Sequence, residues 1–82
     1  MIFYVYMLKS VNNNIIKTYV GYTNNLNLRL KKHNTGSGAK STRGYKWKII
    51  YKKRFYDKSL AMSFEYKLKK EKKKRKYLLS IS

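Results

Sequence analysis

Cysteine is absent from this chain. Disulfides, thiolate metal sites and cysteine redox chemistry are therefore excluded as sources of stability or function. Acidic residues are almost as scarce: three Asp and Glu stand against 21 Lys and Arg, for a formal net charge of +18. Long apolar runs are missing as well. No stretch approaches the roughly 20 residues of a membrane-spanning helix. Met1 to Leu8 is apolar, but it is too short for a secretory leader and no basic flank precedes it. The expectation is a cytoplasmic protein, nucleoid-associated if bacterial, with no membrane partner. A chain of 82 residues buries only about 60–65% of its unfolded surface, so one domain over residues 1–82 is expected.

What the chain has in excess is positive charge. Such a field attracts polyanions at long range and makes their binding sensitive to salt. Abundant Lys, Asn, Ile and Tyr suggest an AT-rich genome, but that bias would raise glutamate too, and acids are nearly missing. Nucleic acid, DNA or RNA, is favoured over a membrane surface because no basic helix with a broad apolar face stands out.

Read in order, Phe3 to Leu8 consists of β-formers and predicts a strand, with Phe3, Val5 and Met7 on one face and Tyr4, Tyr6 and Leu8 on the other. Lys9 to Asn14 is a turn cluster. A second strand through Thr18 to Tyr22 completes a hairpin and brings Tyr6 and Tyr19 to one sheet face. Gly21 ends the clean strand pattern, which marks a close backbone approach or a bulge. Thr23, Asn24 or Asn25 can cap a helix in which Leu26, Leu30 and His33 form the core stripe, with Arg29 beside it. Asn34 to Gly44 is a loop holding three of the four glycines, together with Lys40 and Arg43. Trp47 to Lys53 predicts a third strand with Trp47, Ile49 and Tyr51 on one face. Asp57 or Ser59 can cap a helix over about Leu60 to Lys70, with Leu60, Ala61, Phe64 and Leu68 as its apolar arc and Glu65 at the arc's edge. A cationic run, Glu71 to Lys76, precedes a last short helix. The order ββαβαα describes a small α+β domain.

With three acids in the chain, each one's position matters. Glu71 lies within a lysine run and suits an i,i+4 pair, for example with Arg75. Asp57 suits a helix cap. Glu65, at a helix boundary, suits either a surface ion pair with a lysine or a ligand for a hard divalent cation. Mg²⁺ commonly takes one or two carboxylates, several waters and substrate phosphate oxygens. The tyrosines Tyr4, Tyr45, Tyr51, Tyr66 and Tyr77 read as strand, core or stacking residues. Tyr6 and Tyr19 differ through the hairpin that pairs them, and the surrounding positive charge favours a phenolate there. His33, the sole histidine, reads as a packed, neutral imidazole able to accept a proton or a hydrogen bond. Arg29 offers a bidentate fork for phosphate. The loop from Gly36 to Gly44 lacks P-loop spacing, yet its backbone amides can approach a phosphodiester and Lys40 and Arg43 add charge.

Together these features resemble the GIY-YIG nuclease superfamily, and over nearly the full length they resemble its small bacterial stand-alone branch. Tyr4-Val5-Tyr6 matches the first signature and Tyr19-Val20-Gly21 the second. The Arg29/His33 helix follows, then GSGAKSTRG where that branch has a GKGAKYTRG-like loop, and then the segment Ser63 to Lys69 around Glu65. The match departs from the pattern in three respects. Tyr4 stands where the name-giving glycine would be, and Val20 replaces isoleucine. Lys69, Lys70 and Lys72 occupy the region where many members place an amide side chain.

The resemblance implies a three-stranded antiparallel sheet flanked by helices and an Mg²⁺- or Mn²⁺-dependent DNA endonuclease with a single metal. By position, Glu65 holds the metal, Arg29 clamps the scissile phosphate, Tyr6 or Tyr19 activates or orients water, and His33 assists with protons or phosphate. Lys32, Lys40, Arg43 and Lys69 are the expected nucleic-acid contacts. With no separate recognition module, the expected cleavage is structure-selective, in DNA repair, recombination or processing. The alternative is a basic nucleic-acid-binding module whose nuclease site is vestigial or depends on a partner.

Overall fold

A computed structural model describes residues 1–12 and 14–82. Its elements run β1 (Phe3–Ser10), β2 (Thr18–Thr23), α1 (Leu26–Asn34), a 3₁₀ turn (Lys40–Thr42), β3 (Trp47–Phe55), α2 (Lys58–Lys70) and α3 (Lys72–Ser80). The expected ββαβαα order and α+β class are observed. The sheet is antiparallel throughout, in the order β2-β1-β3. The first strand is thus the central one.

A central strand covered on both faces needs apolar residues at every position, not at alternate ones. β1 meets this condition, since Val5, Tyr6, Met7 and Leu8 are all buried. As predicted, its two faces separate. Val5 and Met7 join Val20, Ala61, Leu68 and Leu78 in a core beneath α2 and α3, with Phe3 and Phe64 packed against it. Tyr6 and Leu8 join Trp47 on the α1 side, with Tyr19, Leu26 and Leu30 at the margin.

Three expectations are corrected. The third strand does not keep Trp47, Ile49 and Tyr51 on one face. Met7 pairs with Tyr51 and Leu8 with Ile49, which leaves Ile50 as an extra residue in the ladder. This bulge reverses the alternation beyond it. Ile49 accordingly faces α1 while Ile50 and Tyr51 face α2. In α2, Leu60 lies outside the buried arc and is 60% exposed, whereas Ala61 and Leu68 are buried. Arg75 does not form the expected side-chain pair with Glu71. Its Nη1 donates to the carbonyls of Leu68 and Lys69 at the end of α2. A guanidinium there satisfies carbonyls that have no partner within the helix and matches the negative end of its dipole.

The remaining caps follow the sequence. Asn25 Oδ1 accepts from the Leu28 amide to start α1, and Asp57 accepts from the Ser59 and Leu60 amides to start α2. Lys48, Lys52, Lys53 and Arg54 leave edge strand β3 lined with exposed cations.

Candidate functional site

The site is assembled at the point where Gly21 faces Tyr6 across the β1–β2 ladder. A Cβ on Gly21 would lie 2.6 Å from the Tyr6 hydroxyl and 3.0 Å from the Tyr19 ring. The glycine therefore provides the space over which the Tyr6 ring lies. Tyr19 pairs with Leu8, one diagonal step along the same face, and its ring centroid lies 6.4 Å from that of Tyr6.

Helix α1 supplies the next two groups. Arg29 and His33, one turn apart, both point at the Tyr6 phenol. Tyr6 Oη lies 2.8 Å from His33 Nε2, and Arg29 Nε donates to the same oxygen at 3.4 Å. Tyr19 packs on the imidazole from the other side, with centroids 4.9 Å apart. Four sequence-predicted residues, Tyr6, Tyr19, Arg29 and His33, are thus linked in one network.

Three of their ionisation properties follow from this environment. Burial pushes the Tyr6 hydroxyl up to about 12, outweighing the opposing hydrogen bond from Arg29. The expectation that surrounding positive charge would favour a phenolate is corrected: desolvation of a phenol 1% exposed prevails. His33 is held below the usual histidine value, first by burial and then by the Arg29 charge. The neutral imidazole expected from the sequence is therefore the favoured state. Arg29, hydrogen-bonded to Tyr6, keeps its charge more firmly still.

Glu65 stands apart from this network. It lies on α2, which packs across β1 and β2, and its carboxylate makes an i,i+4 ion pair with Lys69 at 3.2 Å. Its side chain is only 17% exposed, and its charge is among those that raise Tyr6. The metal candidate therefore sits within electrostatic range of the phenol without touching it. Among the described residues no group of three or more His, Cys, Asp and Glu side chains gathers to hold a metal. A lone hard oxygen donor fits a cation completed by water and phosphate, and not an all-protein cage.

The basic candidates surround the network. Lys32 is exposed on α1 and, with Arg29, borders a shallow cleft that begins at Thr23. Lys40 and Arg43 are exposed at the 3₁₀ turn. Lys69 lines a second cleft with Thr18, Tyr19 and Arg75.

Sequence reasoning missed two residues that hold the imidazole in place. Thr42 is fully buried, and its Oγ1 lies 2.9 Å from His33 Nδ1. Gly38 lies against the same ring, where a Cβ would come within 2.5 Å of Nδ1. The available signal was the histidine itself, since a buried imidazole needs a partner at each nitrogen.

The GIY-YIG catalytic domain family model matches residues 2–78. The UPF0213 protein of Oceanobacillus iheyensis is 48% identical over 67 residues, a span covering 80% of this chain and 74% of that protein. The UPF0213 protein of Clostridium perfringens is 47% identical over 68 residues, covering 82% and 70% respectively. The solution NMR structure of a UPF0213 protein from Bacillus halodurans aligns with a TM-score of 0.54 at 35% identity, over 100% of this chain and 86% of that one. With the family match running from before the central strand into the last helix, this chain belongs to the GIY-YIG family of nuclease domains.

Proposed function

We propose that this protein is a divalent-metal-dependent DNA endonuclease that selects substrates by structure more than by sequence and serves DNA repair, recombination or processing. The observation that carries the reading is the hydrogen-bonded set of Arg29, Tyr6 and His33, with Tyr19 packed at a tilt against the imidazole. Arg29 is half-buried and lines an open cleft with Asn24 and Lys58. Its guanidinium is therefore accessible to a phosphodiester while held against the phenol. A donor placed where charge develops on a phosphate contributes roughly 10²–10³ in rate.

Glu65 would hold the Mg²⁺ or Mn²⁺. The metal would supply Lewis-acid polarisation of the phosphoryl oxygen and stabilise the leaving alkoxide. Lys69, which pairs with Glu65, would be released to the DNA backbone. Burial, which pushes the Tyr6 hydroxyl up to about 12, keeps it protonated at neutral pH. Tyr6 acts on water only by passing its proton to His33, and Tyr19, which is less buried, completes the surface that orients that water.

The experiment is cleavage of end-labelled duplex, single-stranded, flapped and branched DNA with and without Mg²⁺. The expected result is metal-dependent cutting that chelation abolishes. Glu65→Ala should lower it by at least about 10² while leaving DNA affinity within a few-fold. Absence of cutting on every substrate, with DNA binding retained, would leave a basic binding module in place of an enzyme.

A further inference from the structure

We propose that Thr42, carried by the glycine loop, is a positioning residue that sets the tautomer of His33 and thereby directs the Tyr6 phenolic proton to His33 Nε2. The inference rests on the nuclease reading for its consequence and on hydrogen-bond directions alone for its substance.

The directions follow from counting hydrogens. A threonine hydroxyl has one proton. Thr42 Oγ1 lies 2.8 Å from the Ala39 carbonyl, a group that can only accept, so the proton is spent there. At its other neighbour, His33 Nδ1 at 2.9 Å, Oγ1 can only accept. Nδ1 therefore carries the imidazole hydrogen. In a neutral ring Nε2 then holds the lone pair, and the Tyr6 hydroxyl at 2.8 Å must donate to it. Arg29 Nε donates to the back of the same phenolic oxygen. One polarity runs through the whole chain, from Arg29 to Tyr6 to His33 Nε2, and from His33 Nδ1 to Thr42 to Ala39.

The loop is built to keep this polarity. Thr42 donates its own amide to the Ala39 carbonyl, closing the 3₁₀ turn. Its carbonyl accepts from the Trp47 indole Nε1 at 3.0 Å. The Asn34 amide clasps the Trp47 backbone from the end of α1 through both its oxygen and its nitrogen. Gly38 leaves room for the ring, as any Cβ there would strike Nδ1. Tyr6, Tyr19 and Arg29 are the titratable groups facing the imidazole.

The proton step balances without reorientation. The Tyr6 O–H bond breaks and an Nε2–H bond forms, giving a phenolate beside the Arg29 guanidinium and an imidazolium with both N–H groups already paired. With the opposite tautomer, Nε2–H would face the phenol, and the Tyr6 proton would have no acceptor.

Because His33 is the sole histidine, ¹⁵N-detected long-range proton correlation of the imidazole reads its tautomer without ambiguity and without cleavage. Wild type and Thr42→Ser should show Nδ1–H, Nε2 unprotonated. Folded Thr42→Val, which keeps the shape and loses the hydroxyl, should move toward Nε2–H. In cleavage assays Thr42→Val should be slower by about 10–100-fold, because a mis-set catalytic tautomer costs up to about 10⁴. DNA affinity should hold and Thr42→Ser should restore the rate to within about threefold. An Nε2–H wild type overturns the proposal, whether or not the valine variant folds. A folded Thr42→Val with an unchanged Nδ1–H ring overturns it equally. A wild type with the Nδ1–H ring that cuts nothing leaves the tautomer assignment standing and removes the nuclease reading.

Discussion

Tyr6 is subject to two opposing influences, and the outcome fixes what it can do. The Arg29 guanidinium favours a phenolate, burial opposes it, and burial is the larger. The phenol consequently keeps its proton in the resting protein, which is why the imidazole behind it matters. The sequence made the pairing of Tyr6 with Tyr19 legible through the hairpin, and the Arg29/His33 spacing through the helix repeat. It did not reveal Thr42, because a hydroxyl in a loop of hydroxyls carries no periodicity to mark it. Gly21→Ala should destabilise the fold by about 1–3 kcal/mol in denaturant unfolding, since the new methyl overlaps the Tyr6 hydroxyl. His33, held below its unfolded value, binds fewer protons folded than unfolded. Stability should therefore be full above about pH 6.5 and fall as pH drops below it. Comparing melting temperatures between pH 7.5 and 5.5 for wild type and His33→Gln isolates the effect, which the glutamine variant should lack.

Among the elements, agreement between sequence and structure is closest where a cap or a local repeat sets the boundary, as at Asn25 and Asp57. It fails where the cause is a contact between distant segments. The bulge at Ile50 reflects pairing with β1, and no local pattern in Trp47 to Phe55 marks the reversal. Arg75 is the same kind of case: its partner by spacing was Glu71, yet the end of α2 turned its carbonyls toward it. Replacing Arg75 with Met should cost about 1 kcal/mol, read from the denaturation midpoint, because the α2 carbonyls lose a charged donor. Glu71→Gln should change stability by less than about 0.5 kcal/mol. The reverse ranking would restore the ion pair and remove the cap.

The whole molecule spans 36 × 28 × 19 Å and carries a formal charge of +18. No helix among the described residues is long and apolar enough to cross a membrane. The expectation of a polyanionic partner came from composition alone. Glu65 in relation to the phenol was not legible, since it depends on how α2 lies across β1 and β2. If the charge serves DNA binding, affinity for a short duplex should fall with salt at about 0.9 log units per log unit for each phosphate neutralised. A titration from 50 to 200 mM salt should show a slope of about −5 or steeper, and a slope near −1 would contradict broad backbone contact. The cations along β3 have one more consequence. Placing the first strand at the centre leaves β2 and β3 as open edges, each a template on which a second copy could add its own strand. Along β3 an approaching copy would bring Lys48, Lys52, Lys53 and Arg54 against the same four charges. Like charges brought face to face in this way oppose edge-to-edge pairing along β3.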